Sequence, residues 1–203
     1  MGVSKKMSRA ILLSGGMDSI SLAYWKRPEI AITINYGQAA ATTEIRTSAI
    51  IAKELGMKHH IITIDCSSLG SGDLINSQAI SESPSSEWWP YRNQLLITLA
   101  CMKGISLGVK ELMLGSVKSD GFHRDGTLHF FRLMNYVMEY QEGNIEVSCP
   151  AIDFSTVELI KISGVPKSLL HWAHSCHTSN NPCGNCRGCN KYGQTLNQLF
   201  TFL

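Results

Sequence analysis

The stretch Ala10–Trp25, AILLSGGMDSISLAYW, places two glycines between an apolar segment and a segment with helical spacing. Glycine lets a backbone pass close to a ligand, because no side chain stands in the way. The first N–H groups of a helix have no intrahelical partners and lie at the positive end of the helix dipole. Residues 14–19 therefore predict an anion-binding loop. A tight strand-to-helix turn that binds nothing is the alternative these six residues leave open.

Asp18 is unexpected beside an anion unless it holds a divalent cation that itself binds phosphate. The loop also lacks the lysine and the length of the Walker pattern. We interpret it as a different kind of nucleotide phosphate loop, to which Ser14 and Ser19 add hydroxyl donors. Its candidate binding residues are Leu13, Ser14, Gly15, Gly16, Met17, Asp18 and Ser19.

Strand-like and helix-like patterns alternate along the chain as far as residue 164, which predicts a parallel sheet flanked by helices. The predicted strands are Arg9–Ser14, Glu29–Tyr36, His59–Asp65, Glu111–Val117 and Asn144–Pro150. After the helix that follows the loop, the predicted helices are Thr42–Gly56, Asn93–Gly108, Thr127–Tyr140 and Ser155–Gly164. Residues 66–90 are rich in Ser and Gly and predict a long loop, a candidate lid.

Four of the seven cysteines have the spacing C-x6-C-x2-C-x2-C: Cys176, Cys183, Cys186 and Cys189. Four thiolates can close a tetrahedral site, so this spacing predicts a structural Zn²⁺ in a small knuckle. A redox or disulfide role is the alternative, and His174 or His177 is a candidate replacement for one ligand. We predict two parts, residues 8–165 as an α/β nucleotide-binding domain and residues 166–203 as a zinc-binding segment.

The formal net charge of +2 argues against non-specific binding of nucleic acid or membrane. The chain has no apolar run of bilayer length and no signal-peptide pattern near its start, where Met1–Lys6 is interpreted as a short basic leader. We therefore expect a cytoplasmic protein that contacts neither membrane nor nucleic acid directly.

Two further segments carry polar side chains next to predicted strands or helices. In WWPYRN, Arg92 and Asn93 suit a phosphate or a planar polar ring, and the neighbouring aromatic side chains suit stacking on a base. In GSVKSDGF, Lys118 is a candidate phosphate ligand and Asp120 a candidate acid or base. A packed helix start and a solvated ion pair are the alternative interpretations.

In chain order, LLSGGMDS, NYGQ, PYRN, GSVKSDGF, CP before a helix, and SC…CGNCRGC form a set. This set resembles the 7-cyano-7-deazaguanine synthase (QueC) family of the N-type ATP pyrophosphatases, the PP-loop superfamily. The resemblance implies an adenine nucleotide α-hydrolase-like (Rossmann-like) fold and a homodimer that binds ATP, Mg²⁺ through Asp18, and Zn²⁺. It also implies ATP-dependent adenylation of 7-carboxy-7-deazaguanine, a queuosine precursor. The site residues implied beyond the loop are Arg92, Lys118 and Asp120 as catalytic groups, and Tyr36, Gln38 and Asn93 as binding groups.

The chain departs from the family pattern at several positions. Ala39 and Ala40 replace Arg-His, Gly121–Gly126 replaces Gly-Tyr-Pro-Asp-Cys-Arg (with Arg124 and Asp125 among the changes), and Ser155–Thr156 replaces Thr-Lys. These changes favour a protein amine as acceptor, as in the QueC-like paralogues of bacterial antiviral defence systems, over ammonia and the nitrile 7-cyano-7-deazaguanine. More distant alternatives are a tRNA-modifying pyrophosphatase and a non-enzymatic nucleotide sensor.

Overall fold

The computed structural model describes residues 8–200, so the basic leader and residues 201–203 of the predicted zinc-binding segment lie outside it. Its sheet contains five parallel strands in the order β3-β2-β1-β4-β5. These strands are β1 Ser8–Leu12, β2 Ile30–Asn35, β3 Lys58–Thr63, β4 Val109–Met113 and β5 Glu146–Ser148. The order reverses next to β1, which is where ligands bind in open parallel sheets.

Seven helices connect and follow these strands within the described residues. They are α1 Met17–Lys26, α2 Ala41–Glu54, α3 Arg92–Leu107, α4 Leu128–Tyr140, α5 Thr156–Ser163, α6 Lys167–Leu170 and α7 Arg187–Phe200. Two of the predicted helix starts have side-chain caps. Thr127 accepts a hydrogen bond from Phe130 N, and Ser155 forms a capping box with Glu158.

Neighbouring residues of β1 enter the two hydrophobic cores on opposite faces of the sheet, as strand geometry requires. Ala10 packs with residues of α3 and α4, whereas Ile11 packs with residues of α1, α2 and α5. The parallel sheet is therefore covered by helices on both faces, which confirms the predicted α/β class.

Two hydroxyl groups hold the carboxyl end of β1 in place. The Thr33 and Ser48 side chains both donate to the Leu13 carbonyl, at 2.7 and 2.8 Å, and all three residues are buried. Buried carbonyl groups are stabilised when such partners satisfy them. The point at which the chain leaves the sheet and enters the glycine turn is thus fixed by β2 and α2.

The predicted elements agree with the structure except at their ends and in two regions. Residues 66–90 contain two short 3-10 helices, Ser67–Leu69 and Gly72–Ile75, and are anchored in the core by Leu74 and Trp89. The short α6 and the long α7 were not predicted. Beyond the predicted boundary at residue 165, α6 packs with α1 and α7 packs with α5, so residues on both sides of the boundary share one core. The division into two parts stays a prediction.

Among residues 8–200, none of the helices combines the length and the apolar character that crossing a bilayer requires.

Candidate active site

A cavity of about 850 Å³ lies at the carboxyl ends of the strands and collects residues from distant parts of the chain. A cavity of this size holds a small-molecule ligand with room for a second one. The predicted site residues that line it are Leu13, Ser14, Gly16, Met17, Asp18, Ser19, Tyr36, Arg92, Asn93, Asp120 and Cys176. The lining also includes His174, named above as an alternative metal ligand, and residues that were not predicted to bind, among them Glu44, Glu87, His123, Thr156, Arg187, Lys191 and Thr195.

The glycine turn has the geometry of a phosphate loop. Gly15 has a φ of +78°, a left-handed conformation that favours glycine, and a Cβ at this position would lie in tight contact with the Thr47 side chain, at 3.0 Å. Gly16 precedes α1 without any side-chain cap from the described residues. The first N–H groups of α1 are therefore left for a ligand, at the positive end of the helix dipole.

Asp18 has one carboxylate oxygen engaged and one without a partner. Its Oδ2 accepts a hydrogen bond from Lys191 Nζ at 2.9 Å, while Oδ1 is buried and has no hydrogen-bond partner within residues 8–200. Thr156 Oγ1, another cavity residue, is likewise buried and makes no hydrogen bond of normal geometry in that range, but the Thr156 hydroxyl lies near enough to Asp18 to lower the pKa of that carboxyl. Burial raises the pKa of Asp18, and Lys191 opposes this shift. An uncompensated oxygen in an oxygen-lined site fits Mg²⁺, which prefers carboxylate ligands.

The lysine that reaches this cavity is Lys191 and not the predicted Lys118. Lys118 is exposed and outside the lining, although its neighbours Ser116 and Ser119 belong to it, and its backbone N–H bonds to Phe154 O. Asp120 does line the cavity, and its Oδ1 lies 3.5 Å from Lys191 Nζ. Its Oδ2 accepts from Val117 N at 3.1 Å, so this carboxylate also fixes its own turn.

At another part of the cavity, the buried Tyr36 and the partly buried Glu44 and Arg92 form a polar group. Burial raises the pKa of Tyr36 to about 12 and also raises the pKa of Glu44, while the Arg92 guanidinium opposes both shifts. The predicted binding residue Gln38 does not line the cavity. It accepts from Tyr36 N at 2.9 Å and donates to Glu44 Oε2 at 2.8 Å, so it positions these two residues instead.

The aromatic side chains next to Arg92 do not line the cavity, contrary to the sequence-based expectation. Trp89 is buried in the core, where its ring packs edge-on against Tyr36 at 4.9 Å between centroids. Tyr91 is 79% exposed. Tyr36 is therefore the aromatic residue at this end of the cavity.

Glu87 connects the long loop to two other parts of the cavity wall. Its Oε1 pairs with the Arg187 guanidinium and lies 3.4 Å from His123 Nε2. Burial alone would raise the pKa of Glu87. Hydrogen bonds from its own backbone, Arg187, His123 and Ser85 nevertheless lower that pKa from 4.5 to about 2. Since the anchors of this loop are buried, any motion as a lid is confined to its exposed part.

We expect Glu87→Gln to lower the free energy of unfolding at pH 7 by about 1–2 kcal/mol, after allowance for solvent screening. Because the folded pKa of Glu87 is depressed, its ionised form stabilises the fold above pH 4.5, and this contribution is lost as the pH falls toward 2. Urea unfolding should therefore show a penalty at pH 3 less than half of that at pH 7. The exposed Glu142→Gln serves as control, and an equal Glu87→Gln penalty at both pH values would contradict the assignment.

The four predicted metal ligands come together. Their Sγ atoms all lie within 4.8 Å of one another, with Cys183 and Cys189 separated by 3.8 Å and Cys176 and Cys186 by 4.0 Å. Zn–S bonds of about 2.3 Å in a tetrahedron space the sulfur atoms about 3.8 Å apart. The cluster therefore fits a single Zn²⁺, whereas an iron–sulfur cluster has several metal atoms between its thiolates and needs wider spacing.

Hydrogen bonds connect the segment that contains the cysteine knuckle to the nucleotide loop and to α2. His174 N donates to Gly15 O at 2.9 Å. Asn180 Oδ1 accepts from Thr43 N at 2.9 Å and thereby caps the first turn of α2. A metal that orders this knuckle would therefore also order the loop and α2.

Sequence reasoning missed α7, although a signal was available. Arg187, Lys191, Thr195 and Gln198 recur at helical spacing and line the cavity, while Tyr192, Leu196 and Leu199 pack against the core. This amphipathic pattern is typical of a surface helix. The glycines and cysteines at its start obscured it.

A Rossmann-like parallel sheet with the sequence SGGMDS after its first strand, in a loop without the Walker lysine, fits the PP-loop class of ATP-using enzymes. Within that class, residues 9–199 match the family described as "Queuosine biosynthesis protein QueC". The chain therefore belongs to the QueC family, a family of ATP-dependent ligases that form carbon–nitrogen bonds.

Several relatives support this assignment. The chain is 30% identical over 199 residues to the 7-cyano-7-deazaguanine synthase of Methanobrevibacter smithii, covering 88% of each chain. It is 28% identical over 212 residues to the enzyme of that name from Methanocaldococcus jannaschii, covering 90% of this chain and 91% of the relative. Among solved structures, the U34-tRNA thiolase NcsA from Methanococcus maripaludis has a TM-score of 0.54 at 15% identity, over 97% of this chain and 66% of that one. At this identity the likeness shows the fold alone.

Proposed function

We propose that the protein uses ATP to activate the carboxylate of 7-carboxy-7-deazaguanine and transfers the activated acid to a nitrogen nucleophile. With ammonia as acceptor, the product is 7-cyano-7-deazaguanine, the compound for which the relatives are named. The observation that carries the proposal is the uncapped start of α1 beside the unpartnered oxygen of Asp18, at one end of a cavity large enough for a nucleotide and an acid.

The bonds change as follows. A carboxylate oxygen attacks the α-phosphorus of ATP, the bond from that phosphorus to the bridging oxygen breaks, and pyrophosphate leaves. Ammonia then attacks the acyl carbon, AMP departs with its oxygen, and an amide forms. A second ATP adenylates the amide oxygen and releases a second pyrophosphate. AMP then leaves with that oxygen, the nitrogen loses two protons, and the nitrile forms.

Residues of this chain supply binding and charge for these steps. The free N–H groups at the start of α1, with Ser14 and Ser19, would bind phosphate oxygens where negative charge develops. Asp18 Oδ1 would hold Mg²⁺, which supplies positive charge to the phosphates. The polar group of Tyr36, Glu44 and Arg92 would recognise a planar, polar ring, because its donors and acceptors lie in a partly desolvated site.

A protein amine is the second candidate acceptor, as in a conjugating enzyme of antiviral defence. It is supported by the residues at the departures from the family pattern, because His123, Asp125, Ser155 and Thr156 all line the cavity. The changed positions Ala39 and Ala40 lie outside that lining, so they give this candidate no direct support. We also propose that the metal in the knuckle is Zn²⁺ and that the protein acts as a homodimer.

One reaction tests both candidates. The protein is incubated with ATP, Mg²⁺ and 7-carboxy-7-deazaguanine, with and without ammonium, while pyrophosphate is measured and all products are weighed by mass spectrometry. We expect pyrophosphate release that depends on the acid, together with a free nitrile or a deazaguanine adduct on protein. The matched control is 7-deazaguanine, which lacks the carboxylate. The proposal would be overturned if pyrophosphate release did not depend on 7-carboxy-7-deazaguanine, or if it required tRNA instead.

A further inference from the structure

Lys191 joins two carboxylates that come from separate parts of the fold. Its Nζ lies 2.9 Å from Asp18 Oδ2 at the start of α1 and 3.5 Å from Asp120 Oδ1 after β4. The three side chains are partly buried, with exposed fractions of 38% for Lys191, 18% for Asp18 and 39% for Asp120. All three also line the cavity beside the phosphate loop.

The position of Lys191 is fixed by the way α7 docks. Gly188, in the first turn of α7, lies so close to Ser175 O that a Cβ would approach it to 1.7 Å. Tyr192 and Leu196, beside the cavity-lining stripe of the helix, pack against the core. Only glycine permits the start of α7 to lie this close to Ser175. This docking of the helix directs Lys191 into the cavity.

A structural salt bridge does not account for this arrangement. A partly buried ion pair contributes little to stability, since desolvation offsets the attraction. One ammonium also faces two carboxylates, and Asp18 Oδ1 still lacks a partner among residues 8–200. The group therefore has room for more positive charge. Lysine meets the need for a mobile cation, because its ammonium is carried on a flexible four-carbon stem.

We propose that Lys191 is a catalytic residue that contacts the phosphates of ATP, and that in the nucleotide-free protein its ammonium holds the place of the divalent cation between Asp18 and Asp120. The role of Lys191 in catalysis rests on the proposed function, whereas its exchange with the divalent cation does not. When ATP arrives with its divalent cation, the carboxylates bind the cation and the released ammonium pairs with phosphate oxygen. The single ammonium thus offsets part of the charge of the two carboxylates before ATP binds, and pairs with phosphate afterwards.

The exchange predicts opposite changes in two affinities. In Lys191→Met, the carboxylates lose their internal cation, so Mn²⁺ alone, used as a probe, should bind about tenfold more tightly than to the wild type. ATP with Mg²⁺ should bind about 10- to 100-fold more weakly, the size of one lost charge-assisted hydrogen bond. Lys191→Arg should recover part of the ATP affinity. Lys161→Met removes an exposed lysine of α5 and should change neither.

Calorimetry or electron paramagnetic resonance measures Mn²⁺ binding to the nucleotide-free protein, and calorimetry measures ATP binding. Weaker binding of both probes in Lys191→Met would mean that the side chain only supports the site, and would overturn the proposal. An ATP affinity equal to that of Lys161→Met would overturn it as well. These binding results stand whether or not acid-dependent pyrophosphate release is found, so failure of the proposed function is recognised separately.

Discussion

Asp18→Asn should reduce acid-dependent release of pyrophosphate by at least about a thousandfold. A single preorganised group that stabilises charge in a transition state contributes factors of about 10² to 10³, and loss of a cation ligand adds to this. Asparagine has nearly the same shape as aspartate but no negative charge. The substitution therefore removes the attraction for a divalent cation and leaves the turn in place. Pyrophosphate release under saturating ATP and Mg²⁺ is the measurement.

Stability separates this effect from unfolding. Because burial raises the pKa of Asp18, its charge is costly to the fold, and we expect Asp18→Asn to melt within a few degrees of the wild type. Asp153→Asn, at an exposed position, removes the same charge and should retain full activity. A rate for Asp18→Asn within tenfold of the wild type would show that the phosphate loop does not work through this carboxylate.

Cys186→Ser should have the largest effect on stability. Binding of a structural Zn²⁺ is worth about 10–16 kcal/mol in isolated zinc-finger peptides. Even a third of this value corresponds to a fall in melting temperature of roughly 10 °C or more for a chain of this size. Metal content by mass spectrometry should fall from one equivalent per chain to a small fraction. ATP affinity should fall too, because His174 N and Asn180 Oδ1 hold Gly15 and Thr43.

Cys101→Ala provides the matched control, since Cys101 is a buried thiol of α3 that lies apart from the cluster. It should cost about 1 kcal/mol of packing and keep its metal. If Cys186→Ser kept both the metal and the melting temperature of the wild type, the four thiols would not form a metal site.

The parts of the site that could be predicted are those encoded by neighbouring residues. The phosphate loop and three of the four cysteines lie within short segments, so residue spacing alone specifies their geometry. Strand and helix periods likewise predicted five strands and five of the seven helices, because each element has its own apolar face. The loop and the cluster are therefore visible in the sequence before any tertiary contact is known.

The remainder of the site depends on tertiary packing. Lys118 and Lys191 are both lysines near the predicted chemistry, and sequence distance favoured Lys118, yet only Lys191 meets Asp18 across 173 positions of the chain. Glu44 and Glu87 were missed for the same reason, since nothing in their local pattern distinguishes a buried carboxylate from a solvated one. The aromatic side chains were assigned wrongly for the same reason. Tertiary packing places Trp89 in the core and leaves Tyr36, which contacts it, at the cavity.

The ion pair between α1 and α7 also bears on how the molecule comes into being. During synthesis the glycine turn emerges 173 positions ahead of Lys191, so the sheet can begin to assemble before this ion pair forms. Closing so long a segment costs chain entropy, which the packing of α7 against the core offsets. A nascent chain that has not yet emerged as far as α7 would therefore have the glycine turn without the ammonium that pairs with Asp18.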